Sequence, residues 1–419
     1  MAPSPAPPIW TVLPFLLLLL AVAVMPLAAP RWWSRNRNKA VAAALLSIPV
    51  IVFFLARGSM GLLLIEVKEY LSFITLLGSL FVISGGIYIH GDIQGTPRNN
   101  TLFLAIGGVL ANLLGTTGAA ILLIRPLLRT NSQRRRIAHI PVFFIFIAAN
   151  IGGCLLPLGD PPLFMGYLRG VPFFWTLRLL PEWLTMMALL LTVFYFVDRH
   201  FWRRESPRDL ELDQQHIRPL GVFGRANFLL IAVVLLAVIF LRSPWREALL
   251  AGAALVSWII THPHVRRQNE FTFAPIIEVA VVFAGIFITM VPALMLLEER
   301  GGGLGITRPW QFFWATGGLS AFLDNAPTYL TFLSLARGVT AAGGLAGDVA
   351  GIPMELLKAI SLGAVFMGAL TYIGNGPNFM VKVICEHQKV KMPSFFGYMA
   401  WSAVVLLPMF VIVTMVFLR

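Results

Sequence analysis

Leu158-Gly159-Asp160-Pro161-Pro162-Leu163-Phe164-Met165 and Ile373-Gly374-Asn375-Gly376-Pro377-Asn378-Phe379-Met380 superpose at a shift of 215 positions. Glycine, proline, phenylalanine and methionine coincide, and Asp160 falls on Asn375. Both copies interrupt long apolar segments with residues that break helices. Unwound backbone is tolerated in lipid only where protein buries it or it lines a wet cavity. Two such interruptions at matching places in two halves point to the binding site of a transporter.

The surrounding composition fits a membrane protein. The chain has 419 residues, 58% hydrophobic and 12% charged, with a mean hydropathy of +0.81. A soluble domain carries about 25% charged residues. The net charge of +13 does not imply a nucleic-acid partner, because the basic residues fall in short segments between apolar runs, where they orient a membrane protein. Cys154 and Cys385 define no disulfide framework. No basic residue precedes the first apolar run, so residues 9–29 read as a retained helix and not as a cleaved signal.

Apolar length places helices at 9–29, 40–56, 69–90, 139–167, 178–198, 226–241, 246–262, 274–297, 355–385 and 393–418. Two further apolar stretches, 99–128 and 307–336, carry polar interruptions at Gly115-Thr116-Thr117-Gly118 and Asp324-Asn325-Ala326-Pro327-Thr328. Each half-stretch is too short to cross a hydrocarbon core of about 30 Å at about 1.5 Å per residue, so both read as re-entrant hairpins. A shift of 210 superposes Gly107-Gly108-Val109-Leu110-Ala111 on Gly317-Gly318-Leu319-Ser320-Ala321 and brings the tips into register. The fold class is therefore an all-α polytopic membrane protein of two repeats, each with three helices, a re-entrant hairpin, a broken helix and a final helix. Residues 1–198 and 226–419 are the repeats, and 199–225 is a cytoplasmic linker. Each repeat crosses the membrane an odd number of times, so the second is inverted. Basic residues concentrate in the segments that an arrangement with both termini outside places within the cell. His90-Gly91-Asp92 reads as a helix stop.

A carboxylate at the bilayer centre costs about 2.5–3.5 kcal/mol on insertion scales, so its presence calls for a reason. Asp160 lies at the first break, Asp324 at the second hairpin tip, and Glu278 about one turn inside an apolar helix. Helix capping is the competing reading for the aspartates, and a snorkelling position for Glu278. Around the aspartates lie neutral oxygen donors: Asn112, Thr116, Thr117 and Asn150 in the first half, and Asn325, Thr328, Asn375 and Asn378 in the second. Local backbone capping competes for each of these singly. Such donors, with carbonyls freed at broken helices, suit hard cations such as Na⁺. Exposed helix N-termini suit anions, so the sign of the substrate charge stays open. His262-Pro263-His264 lacks further ligands nearby. The Gly301–Gly305 run lacks a preceding strand, and no Walker motif or Gly-x-Ser-x-Gly is present. ATP-driven transport, serine hydrolysis and other intramembrane enzyme chemistry have no constellation behind them, and no cofactor is expected.

At these residues the chain resembles the ion-transporter superfamily over roughly residues 60–415. Asn150-Ile151-Gly152-Gly153, followed by Pro157-Leu158-Gly159-Asp160, and the tip Leu323-Asp324-Asn325-Ala326-Pro327-Thr328 are similar to motifs of its bacterial sodium/proton antiporters. Ile373-Gly374-Asn375-Gly376-Pro377-Asn378 is closer to its dicarboxylate and citrate carriers, whose hairpin tips carry Ser-Asn-Thr, unlike those here. The resemblance implies inverted repeats, a homodimer in a bacterial inner membrane, and elevator-like movement. The expectation is Na⁺ (or Li⁺) exchanged for H⁺. A carboxylate removed from water holds its proton more tightly, so proton and Na⁺ compete for it. Asp160 and Asp324 are the exchangeable carboxylates in this reading, and the surrounding Asn and Thr are ligands or tip formers. The alternative is a Na⁺- or H⁺-coupled carrier of a small anion such as a carboxylate, citrate or arsenite. Against it stand the two aspartates and the lack of Arg or Lys at the tips.

Overall fold

A computed structural model of the chain describes residues 7–215, 217–344 and 347–419. Helices dominate, and the two halves repeat one order. The first runs Leu13–Ala28, Asn36–Ala56 and Met60–Ser84, then the hairpin Pro97–Thr130, a broken segment from His139 to Leu168, and Leu180–Trp202. The second runs Ala226–Phe240, Trp245–Ile260 and Ala274–Arg300, then the hairpin Pro309–Ala342, a broken segment from Met354 to His387, and Phe395–Phe417. The third element of the second half is bent by 43° between Ala274–Thr289 and Val291–Leu304.

The stretch Pro97–Thr130 is helical throughout but reverses at Gly115, whose φ of 74° and ψ of 155° only glycine adopts without strain. A Cβ on Gly107 would lie 3.3 Å from Leu123 Cδ1. Sixteen residues of straight helix would hold these positions about 24 Å apart, so the two arms lie side by side. The second hairpin turns over residues 321–324 between Pro309–Ser320 and Asn325–Ala342, and Phe312 meets Phe332 across its arms at 6.3 Å.

The hairpins approach from opposite ends of the molecule. At one end of helix Leu180–Trp202, Asp198 accepts from Asn100 at 2.8 Å and from Arg134 at 2.5 Å, both at the base of the first hairpin. At the other end Glu182 pairs with Lys358 at 3.0 Å. Nearby, Arg337 of the second hairpin donates to the Arg169 carbonyl at 3.1 Å. Glu182 and Asp198 stand about 24 Å apart along their helix. The tips therefore meet in the middle.

Breaks and tips are buried by a continuous apolar core in which Phe143, Phe144, Phe146, Phe312, Phe313 and Phe366 are inaccessible. Large apolar residues face outward on the remaining helices: Leu229 is 72% exposed, Phe240 75% and Val404 76%. Such an apolar exterior is what lipid demands.

Three boundaries depart from the sequence reading. The third helix begins at Met60, not 69, so Glu66 joins Glu69 within it. His90-Gly91-Asp92 is no helix stop but part of the strand Tyr88–Asp92, paired antiparallel with Arg218–Phe223 in the register Tyr88↔Phe223 and Ile89↔Val222. Residues 199–225, expected only as a linker, hold that second strand and the helix Pro207–Gln215. Cross-strand pairing joins segments distant in sequence, so neither strand announces itself locally.

Candidate functional site

The first broken segment stops after Ile147, passes through a short 3-10 turn at Ile151–Cys154, and restarts as a helix at Pro161 with Asp160 as its N-cap residue. Asn112 of the first hairpin ties this irregular backbone down. Its amide donates to the Gly152 carbonyl at 2.7 Å and its oxygen accepts from the Leu155 N–H at 2.7 Å. Gly159 approaches Gly153 so closely that a Cβ would stand 2.1 Å from the Gly153 carbonyl oxygen. The tip is fastened to the break where Thr116 N–H donates to the Gly159 carbonyl at 2.8 Å.

The second break repeats the device. Its helix stops at Met367 and restarts at Gly376 with Asn375 as N-cap residue. Thr371 donates to the Ala321 carbonyl of the second tip at 2.5 Å and accepts from the Gly374 N–H at 3.1 Å. Asn378 donates to the carbonyls of Gly368 at 2.9 Å and Thr371 at 2.8 Å.

Both breaks and both tips converge on Asp160, which is 1% exposed. Its Oδ1 accepts from Thr116 Oγ1 at 2.9 Å and from Asn375 Nδ2 at 3.0 Å. Its Oδ2 accepts from Asn325 Nδ2 at 2.6 Å. Asn150 extends the network, donating to Asn378 Oδ1 at 2.6 Å and accepting from Asn375 Nδ2 at 3.2 Å. Asn325 Oδ1 is buried without a hydrogen-bond partner, which leaves one acceptor free at the centre. Among the described residues no Lys, Arg or His forms an ion pair with Asp160 or Asp324. Helices starting at Pro161, Asn325 and Gly376 all turn their N-termini toward this centre. Their partial positive charge supports a carboxylate where no basic side chain does.

A deeply buried carboxylate held by neutral amides and hydroxyls, at the meeting of two hairpin tips, is the arrangement of a transport site. Residues 5–418 match a protein-family model described as "Putative citrate transport", CitMHS_2. The chain belongs to the CitMHS_2 family. It is a multi-pass membrane transporter, and its family is no enzyme class. No curated protein matches the chain.

Four of the residues read from sequence make no hydrogen bond to Asp160 in this CitMHS_2 member. Asp324 is the N-cap of Asn325–Ala342, accepting from the Ala326 N–H at 3.1 Å. Thr328 donates back to the Asp324 carbonyl at 2.9 Å, a local helical bond. Thr117 is half-buried one residue beyond the contact made by Thr116. Glu278 is 50% exposed and pairs with Lys39 at 2.7 Å between two outer helices.

Other buried polar groups carry no sequence signal. Arg169, just past the helix that Asp160 starts, bonds Glu66 at 2.5 and 2.6 Å and Glu69 at 2.7 Å. The cluster fastens that helix to helix Met60–Ser84. With the third helix begun at 69, Glu66 falls outside it, and neither glutamate stands out in the sequence. Thr371, Ser320 and the pair Glu182–Lys358 escape likewise. Nothing local distinguishes them, although Ser320 donates to the Ala364 carbonyl at 2.7 Å and Glu182 is fully buried.

Proposed function

We propose that the chain is a secondary cation/proton antiporter that exchanges Na⁺ for H⁺ at Asp160. The observation that carries this is the set of neutral donors on both Asp160 oxygens, drawn from both hairpin tips and both breaks, without a basic partner. Such a carboxylate has two ways to be neutralised, a proton or a bound cation, and the two exclude each other. Asn325 Oδ1, the amide oxygens of Asn150 and Asn378, and Thr116 Oγ1 are the neutral oxygens within the same network. Thr116 and Asn325 belong to hairpins reaching in from opposite ends. Withdrawal of one tip therefore opens the site to one side while the other tip keeps it closed.

On this reading residues 1–198 and 226–419 form two inverted repeats in a homodimer, within a bacterial inner membrane, with both termini outside. The bilayer and the transported ions are the partners. Purified protein in liposomes with an internal pH dye tests the proposal. Alkalinisation or acidification driven by Na⁺ or Li⁺ gradients, and not by citrate, is expected. Citrate-driven flux without response to Na⁺ overturns it.

A second reading, a Na⁺- or H⁺-coupled carrier of a small carboxylate, draws on the family description and on the convergent helix N-termini, which favour anions. Asp160, with Asp324 on the adjoining tip, opposes a multiply charged anion at the same place, since no basic side chain offsets their repulsion.

A further inference from the structure

A second polar region lies far from Asp160. At the base of the first hairpin a cavity of about 650 Å³ is lined by Arg125, Arg129, Arg134, Arg135, Lys389 and Lys391, with Glu270 as its one carboxylate. Its size suits a small ligand. Arg125 pairs with Glu270 at 3.0 Å, Arg134 with Asp198 at 2.5 Å, and Arg135 with Asp209 at 3.0 Å. Among the described residues the other three cations have no such neutralisation. Among the described residues Arg129 donates to the Gly91 and Ile89 carbonyls and the Tyr88 hydroxyl. Lys389 and Lys391 are exposed, and neither joins an ion pair among the described residues. The Nε–H groups of Arg125 and Arg134 are buried without hydrogen-bond partners. Excess positive charge therefore meets in one concavity.

We infer that this cavity binds a multivalent oxyanion, a small polycarboxylate or a phosphate group. Arginine forks and lysines are the side chains that hold such groups. The inference is independent of which ion the central site exchanges. Arg129 is 13 residues along the hairpin arm from Thr116, and Gln388, which also lines the cavity, is 13 residues from Asn375. Each run is about 20 Å of helix, so this site and the central one are separate. The wall is shared between that arm, the end of the second broken helix, the turn that carries Glu270, and Tyr88 of the strand Tyr88–Asp92. A bound anion clamps these parts together. Basic segments at a membrane surface also attract lipid headgroups, and a lipid phosphate presents the same chemistry as a free one.

The test is calorimetric titration of the full-length protein, in uncharged detergent at low salt, with citrate, inorganic phosphate and acetate. Citrate and phosphate are expected to bind once per chain and to compete, with acetate silent. Lys389→Gln/Lys391→Gln, which removes two unpaired exposed charges, is expected to weaken binding about tenfold or more with an unchanged melting curve. Asp160→Asn is expected to leave the affinity intact. A parallel titration in nanodiscs of phosphatidylglycerol or phosphatidylcholine identifies the source. Loss of citrate binding only in phosphatidylglycerol means that the headgroup is the resident anion at the same side chains. Absence of binding by all probes, affinity unchanged in the lysine variant, or citrate binding abolished by Asp160→Asn overturns the inference.

Discussion

Asn375 Nδ2 lies 3.0 Å from Asp160 Oδ1, and each of these residues is the N-cap of the restarted helix in its own half. The two positions that the internal repeat superposes are thus hydrogen-bonded to each other. One half supplies the carboxylate and the other a neutral amide. Two aspartates here would place like charges in contact inside protein, where their repulsion is strong. The replacement of one by Asn turns that repulsion into a donor–acceptor pair.

Asp160→Asn is expected to abolish Na⁺-dependent proton movement in liposomes while expression and thermal stability stay near wild type. The Asp160 side chain makes no capping bond to its helix, so the near-isosteric asparagine removes no cap, but it cannot exchange a proton. Wild-type exchange rates in this variant would remove Asp160 from the mechanism.

Asn325 and Asp324 are expected to separate. Asn325→Ala deletes the 2.6 Å bond to Asp160. Hydrogen bonds to charged groups contribute about 1.5–3 kcal/mol, so the half-saturating Na⁺ concentration should shift about tenfold or more. Asp324→Asn keeps the cap on Ala326 and should retain most transport. Asp324→Ala should lower stability by about 1 kcal/mol, read from the melting temperature. The reverse ranking in Na⁺ titrations would make Asp324 the ion-binding member of the tip.

Arg169→Ala should be the most destabilising single change among the outer ion pairs. It strands the Glu66 carboxylate, whose side chain is 7% exposed, and breaking a buried pair costs about 3–5 kcal/mol. Glu69→Gln should cost less, because Glu66 keeps both contacts to Arg169. Thermal unfolding in detergent ranks the two, and equal melting temperatures would contradict the assignment.

The first hairpin yields a geometric prediction. In a Cys154→Ser, Cys385→Ser background, Gly107→Cys with Leu123→Cys should cross-link rapidly through a short bifunctional reagent, since these positions touch across the arms. A straight helix separates them by about 24 Å. Arg98→Cys and Gln133→Cys, at the two ends of the hairpin, should be labelled by an impermeant reagent from the same side of the membrane. Labelling from opposite sides would make the stretch a crossing and not a hairpin.

Gly115→Ala should strain the turn. Its φ of 74° and ψ of 155° lie where other residues cost about 1–3 kcal/mol, and the new Cβ would stand 3.3 Å from the Leu158 carbonyl. Transport should fall more than stability, because the turn sets where Thr116 Oγ1 meets Asp160. Wild-type exchange rates in liposomes would show that the tip tolerates a shifted hydroxyl.

Local features determined much of this protein by themselves. Apolar run length specifies helices that need no tertiary partner to satisfy their backbone. Gly and Pro around Asp160 and Asn375 break those helices wherever they are packed, and the two repeat shifts set the order of elements in each half. Asp160, Asn150, Thr116, Asn325, Asn375 and Asn378 were legible for that reason, since polar residues at breaks in apolar sequence stand out against their surroundings. Tertiary structure alone decided which neighbour at each tip faces the centre. Asp324 and Asn325 differ by one position, as do Thr116 and Thr117, and the turn brings only one member of each pair into hydrogen-bond contact with Asp160. The bond between Asn375 and Asp160, the Arg169 contacts to Glu66 and Glu69, and the pairing of Tyr88–Asp92 with Arg218–Phe223 join residues far apart along the chain. Their energy depends on distance in space and on removal from water, and neither quantity exists until the two halves have packed.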